Sequence, residues 1–279
     1  MEIAPGCNWR GLSLFAGIVA CCLVGEAQGV EPTITQSQTS TGVKFFYLGD
    51  LPSEPSPTLF FLAADGDSAL RDPSFLQCGA ELQKAGYFCV SIELPGHGAE
   101  RRDGEPEGLA AWRVRMDAGE NPLKELNARI TSVIDHLATA NYTDPARLGV
   151  CGVSRGGFAA LHASAADARL RCVVLYSPVT SLSALLEFQD IEQTKLLREL
   201  DLANIIDSLR ERDIWLTIGD HDERVDTDAA VQFARRLSDA SAIRKASGRI
   251  ELHVCPAEGH TTPAGAAQES SKWVRRRLD

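Results

Sequence analysis

Apolar residues in this chain fall into short unbroken runs, separated by longer stretches in which they recur every three or four positions. The runs are 58–63, 88–92, 148–152, 172–176, 214–218 and 250–254, each rich in β-branched or aromatic residues. Continuous apolarity over so short a length marks strands buried on both faces. Val43 to Tyr47 reads as one further strand, alone in the polar, Pro/Ser/Thr-rich stretch 30–57. Between the runs, Leu123, Leu126, Ile130, Val133, Ile134 and Leu137 repeat with the period of an amphipathic helix, and alanine-rich 158–166 predicts a second. Asp144-Pro145 predicts a break just before the strand at 148. Strands alternating with helices require a mostly parallel central sheet with helices on both faces. No repeat or linker interrupts the pattern, so residues 30–279 are expected to form a single α/β domain. Two stretches, 99–121 and 179–209, exceed ordinary loop lengths. The second, with Leu182, Leu185, Leu186, Phe188, Leu196, Leu197 and Leu200, predicts a small helical cap. Its apolar residues either line an acyl pocket or pack on the sheet.

The N-terminus breaks this pattern. Residues 11–24 carry no charge and follow Arg10. They are too short to span a bilayer, which takes about 20 apolar residues, and have the length of a signal-peptide core. Small residues at 25–29 then predict removal of 1–29, with cleavage near Ala27 or Gly29, and an exported protein, periplasmic or secreted. Ile18-Val19-Ala20-Cys21 also resembles a lipobox, which would instead lipidate Cys21 and keep the chain at a membrane. No stable membrane span is expected.

Composition narrows the function classes. With 44% hydrophobic and 24% charged residues the chain can bury a core and is not a disordered one. A net charge of −10 excludes a nucleic-acid binder built on phosphate contacts; the basic runs at 101–102 and 275–277 read as solvated faces. Of eight cysteines, five lie beyond the leader, at 78, 89, 151, 172 and 255, and none shows metal or redox spacing. Those at 89, 151, 172 and 255 sit in strand-like runs and read as buried thiols. Cys78 with Cys89 is the pair to test for a bridge. No metal or cofactor is called for.

The chemistry concentrates at Gly152-Val153-Ser154-Arg155-Gly156-Gly157. A G-x-S-x-G match arises by chance in about one chain in ten of this length, so its context decides. An apolar strand leads in and a helical segment leads out. A serine on so tight a turn needs small neighbours two residues to either side, and the turn lifts its hydroxyl to a helix N-terminus. A hydroxyl becomes a nucleophile only with a base, and the base needs an orienting group. Of the six histidines, His136 and His162 fall in helices and His253 in a strand. His260 follows the last strand beside Gly259, and is the base by elimination and position. Asp220, Asp222, Glu223, Asp226 and Asp228 crowd the loop after the strand at 214–218, leaving the acid open on pattern alone. Arg155 and Glu187 are charged residues near Ser154 that either select a substrate or pair with each other.

Several stretches together resemble the α/β-hydrolase superfamily, within it the prolyl-oligopeptidase-like and dienelactone-hydrolase-like serine hydrolases. They are Glu93-Leu94-Pro95-Gly96-His97-Gly98, Asp144-Pro145-Ala146-Arg147 leading into the Ser154 turn, Gly219 to Val225, and Glu258-Gly259-His260. The resemblance covers residues from about 40 onward. It implies a Ser154, Asp222, His260 triad, because the family's acid stands three residues before the valine that is Val225 here. Asp226 and Asp228 then fall to capping the following helix. It also implies an oxyanion hole from the backbone N–H of Arg155 and one from the loop 64–67, at Asp65. In place of the family's usual His-Gly before that position the chain has Ala63-Ala64. The function implied is cleavage of carboxylic esters in a small-molecule or short acyl substrate, through an acyl-enzyme. A prolyl-oligopeptidase-type peptidase is the second reading, although no region has the length of the propeller that gates many such peptidases. A non-catalytic binding protein on the same fold is the third.

Overall fold

The central strands alternate their side chains between two apolar cores. The computed structural model describes residues 33–189, 195–245 and 247–279. Among them eight strands form one sheet: β1 (Ile34–Gln38), β2 (Lys44–Leu48), β3 (Ser56–Leu62), β4 (Phe88–Ser91), β5 (Thr143–Val153), β6 (Leu170–Tyr176), β7 (Asp213–Gly219) and β8 (Ile250–Cys255). The order is β1-β2-β4-β3-β5-β6-β7-β8; β4 through β8 run parallel with β3, while β1 and β2 join antiparallel at one edge. The helices are α1 (Gly66–Arg71), α2 (Pro73–Leu76), α3 (Gly79–Lys84), α4 (Leu109–Asp117), α5 (Pro122–Thr139), α6 (Arg155–Ala166), α7 (Lys195–Glu199), α8 (Ile206–Leu209), α9 (Thr227–Arg244) and α10 (Ala266–Leu278). This is a mostly parallel α/β sheet with helices on both faces, in a compact unit spanning Pro32–Asp279.

Each apolar run divides by parity, as period-two side chains must. Phe60, Leu62, Val90, Val150, Val173, Leu175, Ile214 and Leu216 enter the larger core, against α5, α6 and α9. Leu59, Phe61, Cys89, Cys151, Cys172, Val174 and Trp215 enter the other, against α3 and α10. The second face thus collects four buried cysteines, including Cys78. Cys78 and Cys89 do not form the bridge considered from sequence: the cysteines at 78, 89, 151, 172 and 255 are all free, and Cys255, read from sequence as a buried thiol, is only half-buried, because it ends the edge strand β8. Burial pushes the thiols of Cys89, Cys151 and Cys172 up, which keeps them protonated and inert.

Two local expectations change. The stretch 30–57 holds a second strand, β1, whose polar residues mark it as a sheet edge. Asp144-Pro145 does not end the chain's extension: β5 begins at Thr143, and the ladder to β3 skips from Thr143 to Leu148 around the proline. A residue without an N–H is tolerated where the ladder is already interrupted. The cap expected over 179–209 consists, where described, of short helical turns. Leu182, Leu185, Phe188, Leu197 and Leu200 pack into the larger core, while Leu186 is exposed. The leader, its cleavage site and Cys21 lie outside the described residues, as does the boundary at 29–30.

The loop before α4 is fixed by an ion pair between Arg115 and Glu105, 2.7 Å apart with both side chains almost fully buried. Arg115 also donates to the Glu100 carbonyl at 2.6 Å. The guanidinium lowers the Glu105 carboxyl from its ordinary 4.5 to about 2. A carboxylate with a depressed value in the folded state contributes fully above about pH 4.5 and loses that contribution as pH falls toward 2. Glu105→Gln leaves Arg115 buried and unpaired, at a cost of about 3 kcal/mol near neutral pH. Thermal melts should show a lower Tm for the variant and a gap that closes between pH 4.5 and 2; a constant gap would mean the pair does not set the loop's stability.

Candidate active site

The turn from β5 into α6 is built by close approach. A Cβ on Gly152 would strike the backbone of Gly156 and lie 2.6 Å from Gly157 Cα; one on Gly157 would lie 2.5 Å from Pro178 Cβ. One on Gly156 would overlap the carbonyl of Leu62 at the end of β3. Between these glycines Ser154 adopts φ 54° and ψ −120°, a conformation that costs a residue with a side chain about 1–3 kcal/mol. Its N–H donates to the Tyr176 carbonyl at 3.0 Å, and its carbonyl accepts from Gly157 and Val179. The strain is held by both neighbouring strands. It puts the Ser154 side chain at the N-terminal end of α6, where helix amides favour negative charge.

The loops after β7 and β8 meet that side chain. His260 Nε2 lies 2.9 Å from Ser154 Oγ and His260 Nδ1 lies 2.8 Å from Asp222 Oδ2. Asp222 is buried, and its other oxygen accepts the N–H groups of Arg224 and Val225 at 3.1 and 3.3 Å. Thr227 Oγ1 accepts from the Asp222 N–H at 3.0 Å and donates to the Gly219 carbonyl at 2.7 Å, closing the loop on itself. A carboxylate fixed by backbone donors presents its remaining oxygen to the imidazole, so the ring holds its proton on Nδ1 and offers Nε2 to the serine hydroxyl. Of the acids crowding this loop, Asp222 alone touches His260. Asp226 accepts from Ala229 N–H as the N-cap of α9, and Asp220 accepts from Ala257 N–H.

A cavity of about 600 Å³ opens beside Ser154 and His260, walled partly by Pro73, Phe75 and Val153. None of the cap leucines lines it, so they pack rather than form its wall. Arg155 is among the residues that line it, with its Nε beside Gly108; its backbone N–H lies in the first turn of α6. Asp65 is not among the lining residues: it N-caps α1 by accepting from Ser68 N–H at 3.0 Å. The packing of Leu62 and Ala63 against Gly156 nonetheless brings the segment after β3 to the start of α6. Arg155 and Glu187 do not pair. Glu187 accepts from Arg224 at 2.6 Å, tying the cap to the loop that carries Asp222.

Sequence reasoning passed over the residues that hold the His260 loop. Ser177, just past β6, donates to the Thr261 carbonyl at 3.1 Å, and Gln77 donates to Thr262 Oγ1 at 2.9 Å. Both line the cavity and both have positive φ, as does Asp226. Of the six such non-glycine residues described, four therefore stand at this site. Only Ser177 had a signal, its place at the C-terminal edge of a strand, where α/β sheets gather their sites. Three other histidines are structural: His162 is buried, its value lowered to about 4, and donates to the Leu200 carbonyl, while His136 packs on Phe45 and His253 on Trp215; His221 is exposed in the loop after β7. No metal-ligating cluster occurs among the described residues.

Known proteins share this arrangement of strands. The solved structure of TT1662 from Thermus thermophilus superposes with a TM-score of 0.68 at 17% identity, over 90% of this chain and 99% of that one. Acetyl xylan esterase 1 from Thermoanaerobacterium sp. JW/SL YS485 gives 0.60 at 16% identity, over 90% and 89%. In sequence, YtaP of Bacillus subtilis (strain 168), named as a hydrolase, is 23% identical over 224 residues, 77% of this chain and 72% of that protein. The structural likenesses establish the α/β-hydrolase fold, and the sequence profile of the prolyl oligopeptidase family matches residues 111–279, from α4 through the Ser154 turn to the C-terminus. This chain belongs to the prolyl oligopeptidase family.

Proposed function

We propose that this chain is an exported serine hydrolase that cleaves carboxylic esters through an acyl-enzyme, with Ser154 as nucleophile, His260 as base and Asp222 as its orienting acid. The observation that carries this is the unbroken line from Ser154 Oγ through both ring nitrogens of His260 to a buried carboxylate, beside an open cavity. A packing role would not require a strained serine.

Ser154 Oγ attacks the acyl carbon as His260 Nε2 takes its proton. The tetrahedral oxyanion is held by the backbone N–H of Arg155 and by that of Asp65, from the segment that packs beside α6. As the acyl C–O bond breaks, His260 returns the proton to the departing alkoxide. Water then attacks the acyl-enzyme, again deprotonated by His260, and releases the carboxylic acid and Ser154. Asp222 stays ionised and stabilises the imidazolium. Solved relatives of the fold include acetyl xylan esterases as well as acylaminoacyl and dipeptidyl peptidases, and the family's own description supports a peptidase as the second reading, with the same residues and an amine leaving group.

Fluorophosphonate should label the wild type and not Ser154→Ala, and a short-chain aryl ester should be turned over. Asp222→Asn should lower kcat by about 10⁴-fold, since the ring then takes the wrong tautomer, while Asp226→Asn should leave kcat within a few-fold. The reverse order would displace Asp222 from the mechanism. Labelling with turnover of aminoacyl amides and not esters would favour the peptidase reading; a folded protein that does not label would exclude both. Export is read separately, by mass spectrometry of the mature N-terminus, expected near residue 28 or 30; a mature chain beginning at Met1 would contradict a cleaved leader.

A further inference from the structure

The cavity beside Ser154 carries a positive group that the hydrolysis does not use. No acceptor among the described residues reaches any nitrogen of the Arg155 guanidinium, and its Nε is buried without a partner. Every other residue that could neutralise it is engaged or distant. Glu187 points one oxygen at Arg224 and its second is itself buried and unpaired; Glu107 is exposed and acts only through space. Arg224 also lines the cavity, with Nη1 buried and unpaired, and repels Arg155. On the other side His97 donates from Nδ1 to the Pro95 carbonyl and leaves Nε2 unpartnered near Gly108. Burial lowers the Arg155 value, yet a guanidinium keeps its charge.

A half-buried guanidinium whose buried Nε has no hydrogen-bond partner is unfavourable in a folded chain unless a ligand completes it. A guanidinium is a planar fork of donors matched to two coplanar oxygens. Glu187 touches Arg224 and Glu107 acts on Arg155 only through space, so no carboxylate is in contact with the Arg155 fork, and a substrate carboxylate matches that fork in shape and charge. The wall formed by Pro73, Phe75 and Val153 suits a short carbon chain.

We infer that the substrate is an acyl compound bearing a carboxylate a few atoms from the scissile carbonyl, and that the Arg155 side chain receives this carboxylate with Arg224 as the second positive wall. This rests on the serine-hydrolase reading and names its substrate class. The backbone N–H of Arg155 would serve the oxyanion while its side chain selects the substrate, two separable roles on one residue.

The p-nitrophenyl monoester of glutaric acid and the same compound capped as its methyl ester differ only in that charge. Wild type should prefer the acid, and Arg155→Gln, which keeps the backbone N–H, should lower the acid-to-methyl-ester ratio of kcat/KM by about 10- to 100-fold, through KM. Arg155→Lys should restore part of the ratio. A wild type that prefers the methyl ester, or a ratio unmoved by Arg155→Gln, overturns the inference and leaves the hydrolase reading standing. Calorimetric binding of monophenyl glutarate and of its methyl ester to Ser154→Ala reads the anion site without turnover. Tighter binding of the acid supports it even if no ester is hydrolysed, and equal or absent binding sinks it.

Discussion

The carbonyl of Leu62, at the end of the strand next to β5, sits against Gly156 so closely that no side chain fits between them. The remaining geometry of the site follows from that contact. It forces glycine at 156, draws the first turn of α6 onto the sheet, and leaves Ser154 to absorb the change of direction at positive φ. Because β3 and β5 are neighbours in the parallel sheet, their pairing brings the segment leaving β3 and the helix entered from β5 within reach of that contact. The loops leaving β6, β7 and β8 then have one place to converge. Ser177, Asp222 and His260 come from those three loops in turn, and hydrogen bonds from Ser177 to the Thr261 carbonyl and between His260 and Asp222 tie the loops to one another.

This explains which parts could be read from sequence. Buried strands announce themselves by unbroken apolarity, so β3 through β8 were legible, and a helix with one wet face shows its period, as α5 does. Edge strand β1 was not legible, since a ribbon of Ile, Thr, Gln and Ser with one half-open face has the composition of a loop. Pro145 misled for a related reason: it signals a lost hydrogen bond, and only the partner strand reveals that none was due there. At the site, Ser154 was legible because its glycines are demanded by sterics, and His260 because it follows the last strand beside a glycine while His136, His162 and His253 fall within regular elements. Asp222 needed the family pattern, since five acids in one loop are chemically alike until the fold chooses the one facing the ring. Gln77, with no motif and a role set wholly by tertiary contact, left no trace.

The two faces of the sheet divide the labour of the side chains. One holds the buried thiols, Tyr176 hydrogen-bonded to Ser270, and Trp273 donating to Glu251, and is closed to solvent by α3 and α10. Burial raises the thiols of Cys89, Cys151 and Cys172 and keeps them protonated. The other face carries α6, whose first turn opens to the cavity, so the one serine raised above the sheet is also the one with a base in reach. Of the nucleophilic groups on the central strands, burial silences the thiols of Cys89, Cys151 and Cys172, while the turn after β5 opens Ser154 to the cavity.

The charge of the chain bears on how an anionic substrate would be met. A net charge of −10 repels a carboxylate at long range, so electrostatic steering cannot favour its arrival. At physiological salt that field is screened beyond about 8 Å, the Debye length, while the Arg155 guanidinium acts at contact in a half-enclosed cavity where screening is weak. Recognition and approach therefore oppose one another. Salt should ease the approach more than it weakens the contact, because the repelling charges lie on the surface and the attracting one does not. In such a site selectivity arises after encounter, in the pairing of one carboxylate with one guanidinium, next to the hydroxyl that the Gly156 contact has already set in place.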